Sequence, residues 1–156
     1  TFMPELQERN MKIQLIGFID ELPESTKQVV LKAVEDTKNN TGMVLTFALN
    51  YGSRAEIIEA TKTLARRVER GELAVDDIDD ALFERELQTS FLGELQDPDL
   101  MIRTSGEVRL SNFLLWQLAY SEYYFTDIFW PDFSKEDLHK AILTYQGRHR
   151  RYGGLA

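Results

Sequence analysis

Met43–Leu49 reads MVLTFAL, apolar at every position but Thr46. Met43, Leu45, Phe47 and Leu49 fall on one face of a strand, and Val44 and Ala48 on the other. A strand apolar on both faces is expected to be buried on both, as in a parallel sheet covered by helices. Upstream, Met11–Ile16 (MKIQLI) is a second apolar run, closed by Gly17, and reads as a strand. Between the two, Pro23, Glu24 and Ser25 open a helix with Val29, Val30, Ala33 and Val34 on one face. Asn39–Gly42 (NNTG) is a turn.

Downstream, Ser53, Arg54, Ala55 and Glu56 have the spacing of a capping box. The helix it would open carries Ile57, Ile58, Thr61, Leu64, Ala65 and Val68, and stops at Gly71. A short helix is expected over Asp79–Leu87, a strand over Asp99–Arg103 and a helix over Ser111–Ser121. A strand over Tyr123–Phe125 and a last helix over Ser134–Tyr145 complete the pattern. Thr1–Asn10 reads as the end of a helix, so the chain is expected to begin mid-structure. The alternation specifies an α/β fold, a largely parallel sheet with helices on both faces.

The 156 residues suit a single domain, 43% hydrophobic and 28% charged, with a formal net charge of −8. Without cysteine there is no disulfide framework, zinc-thiolate site or thiol nucleophile. Two histidines, His139 and His149, leave little for a histidine-ligated metal. No apolar run approaches the ~20 residues of a membrane span, and a cytoplasmic protein is the expectation. The acidic balance argues against a nucleic-acid binder. Charge is uneven: residues 1–102 carry 11 Lys/Arg and 20 Asp/Glu, whereas residues 103–156 carry 7 and 6. The run Asp76, Asp77, Asp79 and Asp80 reads as a solvated helix start.

The richest chemistry lies in Asp97–Phe133, DPDLMIRTSGEVRLSNFLLWQLAYSEYYFTDIFWPDF. The strand LMIR delivers Arg103 to its carboxyl end, where ligands of open α/β sheets bind. Arg109 and Ser111 follow, and a helix start at Ser111 would add free N–H groups. Guanidinium forks suit phosphate oxygens, so a phosphate or diphosphate is the natural ligand. No Walker loop is present. The competing reading is that Arg103 and Arg109 merely pair with Asp97, Asp99 or Glu107. Glu122, among Tyr120, Tyr123 and Tyr124, is either a metal-shell carboxylate or a surface glutamate. Met43, Phe47 and Leu49 are either core or a wall for a long apolar ligand. The basic tail Arg148–Gly154 (RHRRYGG) either ends the chain in solvent or closes over an anion.

Taken with Asn50–Arg54 (NYGSR) before it and Arg150–Gly154 after it, Asp97–Phe133 resembles the cis-prenyltransferases, most closely bacterial undecaprenyl diphosphate synthases. The resemblance implies condensation of isopentenyl diphosphate onto farnesyl diphosphate, giving undecaprenyl diphosphate, the lipid carrier of peptidoglycan precursors. It assigns the isopentenyl diphosphate head to Arg103, Arg109 and Ser111, and one magnesium ligand to Glu122. Met43, Phe47 and Leu49 would line the tunnel for the growing chain. Arg151 and Gly153 look like a tail element that reaches the active site across a homodimer. It also implies a peripheral membrane contact for product release. Ser53 stands where glycine is common in the family.

The family's Asp-Gly-Asn-Gly-Arg-Trp motif, which carries the catalytic aspartate, is absent, as is its Ser-x-Glu-Asn-Trp-x-Arg segment. The 156 residues are therefore expected to be the C-terminal portion of one cis-prenyltransferase domain. They would hold the isopentenyl diphosphate half-site and be inactive alone. A second reading is a non-catalytic subunit that lends its tail to an active partner.

Overall fold

In the computed structural model, which describes residues 3–148, β1 (Lys12–Ile16) and β2 (Val44–Ala48) pair in parallel, from Lys12 opposite Val44 to Ile16 opposite Ala48. The helix between them, α2 (Glu24–Thr37), begins after Pro23 and carries Glu24 in its first turn. It supplies the crossover a parallel pair requires. Its end is fixed to β1 by Thr37, whose fully buried hydroxyl accepts from the Ile13 amide at 3.0 Å and donates to the Ala33 carbonyl at 2.9 Å. Val30, Ala33 and Val34 are half-buried on the same helix, but Val29 is exposed, so the inward face is one position narrower than its pattern suggests.

The short α1 (Met3–Glu8) precedes β1. After β2, α3 (Ser53–Glu69) ends where Gly71 takes φ +70° and its amide reaches the Val68 carbonyl at 2.9 Å. Then α4 (Asp80–Arg85) is capped by Asp79, whose side chain accepts from the Leu82 amide at 2.8 Å. These elements form one compact unit, residues 1–93, with Ile13, Ile16, Ala60, Leu64 and Leu87 at its core.

The second unit begins at Glu94. Here β3 (Leu100–Arg103) pairs in parallel with β4 (Glu122–Phe125), Leu100 opposite Glu122 and Arg103 opposite Phe125. α5 (Lys135–Gln146) opens with a capping box: Ser134 accepts from the Asp137 amide, and Asp137 accepts from the Ser134 amide and hydroxyl. Met101, Leu114, Leu118 and Ala141 are its buried apolar side chains.

The α/β class with parallel strands is as expected, but the described strands form two separate pairs rather than one sheet. Three local expectations fail. Met43, Val44 and Phe47 are 62%, 38% and 43% exposed, because β2 has only β1 beside it among the described residues. The helix starts one residue earlier than a capping box at Ser53 requires: Gly52 is the N-cap, its carbonyl accepts from the Glu56 amide at 3.0 Å, and the Glu56 carboxylate accepts from Tyr51 and Gln88. Ser111–Ser121 is not a helix but a series of turns, with φ of +51°, +63° and +44° at Ser111, Asn112 and Leu114. Left-handed residues at that frequency cannot propagate a right-handed helix.

Candidate diphosphate-binding site

The strand β3 ends at Arg103, half-buried at the carboxyl edge of the β3–β4 pair. The chain then turns sharply: Ser105 and Gly106 have φ of +68° and +70°. Their amides donate to the carbonyls of Ile128 (2.8 Å) and Thr126 (3.0 Å), and the Thr126 amide donates to the Arg103 carbonyl at 3.0 Å. The edge beyond both strands is thereby closed on itself. A Cβ at Gly106 would stand 3.2 Å from an Asp127 carboxylate oxygen, so the turn also tolerates little bulk.

From this edge the Arg103 guanidinium spans the following loop. Nη1 donates to the Arg109 carbonyl, and Nη2 donates to the Ser111 hydroxyl at 3.2 Å. The positive φ at Ser111 turns the chain at the residue whose hydroxyl Arg103 reaches. Arg103 and Ser111 are therefore brought together. Arg109 joins them through its main chain, while its own guanidinium is mostly exposed and pairs with Glu107. The acid-pairing alternative thus applies to Arg109, not to Arg103.

Without a helix at Ser111, donors for an anion come from guanidinium and hydroxyl groups rather than a helix dipole. Beside Arg103 lies a hollow of about 160 Å³, lined by Met101, Ile102, Leu110 and Phe113. A charged fork next to a small apolar notch suits a short hydrocarbon carrying an anionic head.

Glu122 lies at the opposite end of the pair. The register puts it beside Leu100, three residues or about 10 Å along the strand from Arg103. Its carboxylate accepts from Arg148 Nη1 at 2.5 Å, and its amide donates to the Asp99 carbonyl at 3.0 Å. Tyr145 donates to the Asp99 carboxylate at 2.9 Å, so the end of α5 is tied twice to the amino edge of the strands. Among the described residues no three acidic or histidine side chains gather as a metal cage. One carboxylate suits an ion whose other ligands are phosphate oxygens and water, which is how magnesium is usually held.

In the first unit, Phe47 and Leu45 line a hollow of about 380 Å³ with Leu6 and Met11, and Glu5 and Arg9 also line it. Leu45 and Leu6 are contributors the tunnel expectation omitted, although Leu45 shares the strand face of Phe47. Met43 does not line that hollow and is exposed, and Leu49 is half-buried just past β2. Arg151 and Gly153 lie outside the described residues. No helix of the described residues is long and apolar enough to cross a membrane.

The prenyltransferase model of the undecaprenyl diphosphate synthase family matches residues 1–153. A Micrococcus luteus ditrans,polycis-undecaprenyl-diphosphate synthase, (2E,6E)-farnesyl-diphosphate specific, is 56% identical over 99% of this chain and 61% of its own length. An isoprenyl transferase of Lactobacillus johnsonii is 55% identical over 97% of this chain and 64% of its own. The chain thus spans roughly three fifths of the curated relatives it matches. The crystal structure of lavandulyl diphosphate synthase from Lavandula x intermedia, in complex with dimethylallyl diphosphate, superposes with a TM-score of 0.93 at 40% identity. That match covers 98% of this chain and 67% of the other. With the parallel strand pairs and the edge that Arg103 and Ser111 share, these matches place the chain in the undecaprenyl diphosphate synthase family of prenyltransferases.

Proposed function

We propose that these 156 residues are the C-terminal portion of one cis-prenyltransferase domain, and that they hold its isopentenyl diphosphate half-site. The intact protein would condense isopentenyl diphosphate onto farnesyl diphosphate to make undecaprenyl diphosphate for cell-wall lipid carrier synthesis. The observation that carries this reading is Arg103, donating to Ser111 at the carboxyl edge of β3 beside an apolar notch.

In this reading the diphosphate displaces part of the Arg103–Ser111 pairing and takes the guanidinium and the hydroxyl as donors. Arg109 leaves Glu107 to supply a second fork. The isopentenyl body rests against Met101, Ile102, Leu110 and Phe113. Its double bond attacks the allylic carbon as the allylic diphosphate departs, and a proton is then lost from the new cation. Magnesium, when bound, adds positive charge at the diphosphate oxygens. Glu122, released from Arg148, would be a ligand from this chain only for an ion that bridges from the diphosphate toward the far strand end, about 10 Å from Arg103. Phe47 and Leu49, with Met43 at the exposed margin, would meet the growing chain. Arg151 and Gly153 would act across a homodimer.

Calorimetric titration of the chain with isopentenyl diphosphate tests the half-site. Binding that is lost in Arg103→Ala supports it, and binding indifferent to Arg103 and Ser111 overturns it. The chain alone is expected to make no polyprenyl product, and a turnover assay yielding one would refute that part.

A further inference from the structure

The segment that carries Ser111 is held in an uncommon backbone conformation. Ser111, Asn112 and Leu114 have φ of +51°, +63° and +44°, whereas Phe113 between them is not left-handed. Asparagine tolerates that region because its short polar side chain can bond locally. Leucine has no such recourse: its Cβ crowds the following carbonyl, and a bulky side chain there is a true outlier. Such a conformation persists only where the surroundings over-determine it.

Two holds do so here. At one end the Arg103 guanidinium grips the segment at the Arg109 carbonyl and, 3.2 Å from Nη2, at the Ser111 hydroxyl. At the other end the Leu114 side chain is buried, as are Met101, Leu118 and Ala141, and its carbonyl accepts from the Leu118 amide at 2.9 Å. Phe113, one residue earlier, is exposed and lines the hollow beside Arg103 with Leu110. Neighbouring side chains are thus divided between hollow and core across a reversal in the sign of φ.

We propose that Leu114 is a positioning residue for the diphosphate site. Its burial imposes the left-handed turn that keeps the Ser111 hydroxyl at Arg103 before any ligand arrives, which rests on reading Arg103 and Ser111 as the isopentenyl diphosphate half-site. A segment free to relax would present the two donors together for only part of the time. The apparent affinity would fall by that fraction. Leu114 acts through the backbone, three residues from the hydroxyl it places.

The test contrasts two substitutions of Leu114 that keep an apolar side chain. Leu114→Met leaves Cβ unbranched, whereas Leu114→Val puts there the branch that the left-handed region accepts least. Leu118→Val is the packing control, since Leu118 is buried in the same unit without a positive φ. The first readout, without ligand, is the Arg103 guanidinium in the nitrogen NMR spectrum. Donation by Nη1 and Nη2 to different acceptors slows its rotation and keeps their signals apart. The second is calorimetric titration with isopentenyl diphosphate. In Leu114→Val the guanidinium signals are expected to merge and the affinity to fall about tenfold. Leu114→Met and Leu118→Val should match the parent chain in both. A role in packing alone predicts no difference between Leu114→Val and Leu118→Val, so equal effects of the two overturn the proposal. Separate guanidinium signals with parental affinity in Leu114→Val overturn it as well. A parent chain that takes up no isopentenyl diphosphate would sink the half-site reading alone, and the ligand-free signals then decide whether Leu114 holds Ser111 at Arg103.

Discussion

The carboxylate of Glu56, 1% exposed, receives the Tyr51 hydroxyl at 2.5 Å on one oxygen and the Gln88 amide at 2.8 Å on the other. Gln88 in turn accepts the Gly17 amide at 2.5 Å through its side chain. One buried side chain thus ties the exit of β2, the exit of β1 and the segment after α4. Glu56→Ala would take away the acceptor of the Tyr51 hydroxyl and the Gln88 amide at a buried position. Its expected cost is about 2–4 kcal/mol, against about 1 kcal/mol for Tyr51→Phe, which removes only one bond. Urea unfolding of the two variants measures both, and equal costs would contradict the network.

Gly17 is the backbone counterpart of that tie. Its φ is +117°, and a Cβ there would stand 1.9 Å from the Leu49 carbonyl oxygen. Neither the conformation nor the space admits a side chain, and the obstacle is backbone rather than a movable rotamer. Gly17→Ala is expected to cost about 3 kcal/mol or more and to lower the yield of folded chain. A thermal melt unchanged from the parent chain would show that the β1 exit lies farther from β2 than described.

Much of this architecture was legible from periodicity, and the failures have a common cause. Strands β1 and β3, the helix after Pro23 and the last helix from Ser134 needed only local patterns. Glu56 was misread as a cap because a local rule competed with a partner 32 residues away. Residues 111–121 were misread because their apolar spacing suits a helix, while the left-handed turns at Ser111, Asn112 and Leu114 leave no mark in composition. At the site, Arg103 and Ser111 were legible as candidate donors, and the fold brings the two side chains together. The separation of Glu122 from them was not, because only the β3–β4 register reveals that they sit at opposite strand ends. Leu110 and Phe113 had a signal in the Asp97–Phe133 stretch, but the hollow they line is a property of the fold.

Arg109 begins in an ion pair with Glu107, so its contribution to diphosphate binding is a difference between two charged partners. Arg109→Ala is expected to weaken isopentenyl diphosphate binding by about 1–3 kcal/mol. Glu107→Gln releases the guanidinium and should strengthen binding by a smaller amount, since the pair is exposed. Calorimetry on both variants checks the signs, and an unchanged affinity in Arg109→Ala would remove Arg109 from the site.

The Arg148–Glu122 pair sets up the corresponding contest for a cation. Arg148→Ala removes the guanidinium without touching the carboxylate. In the presence of isopentenyl diphosphate, manganese used as a paramagnetic stand-in for magnesium should then bind more tightly than to the parent chain. Glu122→Gln should bind it more weakly than either. Relaxation enhancement of water protons reports the bound ion directly. Equal enhancement in all three proteins would mean that Glu122 is no ligand.

The capping box of α5 makes a prediction with a definite sign in pH. The Ser134 hydroxyl, and then its amide, hold the Asp137 carboxyl below the ordinary aspartate range. A lowered folded value means that the ionised form is favoured by folding. The stabilisation is therefore fully present above the unfolded value, about pH 4, and is lost as pH falls through the lower folded value. Ser134→Ala removes the hydroxyl as both cap and donor and is expected to cost about 1 kcal/mol near neutral pH. Asp137→Asn should remove Asp137's share of the acid-side loss while keeping a neutral acceptor for the Ser134 amide. Following the unfolding midpoint from pH 7 to pH 3 in the parent and the two variants separates the effects. The parent and Asp137→Asn curves should converge at the acid end, where the carboxylate that distinguishes them has taken up its proton, while Ser134→Ala stays below the parent by the lost cap; parallel parent and Asp137→Asn curves would show that Asp137 carries no pH-dependent part of the helix's stability.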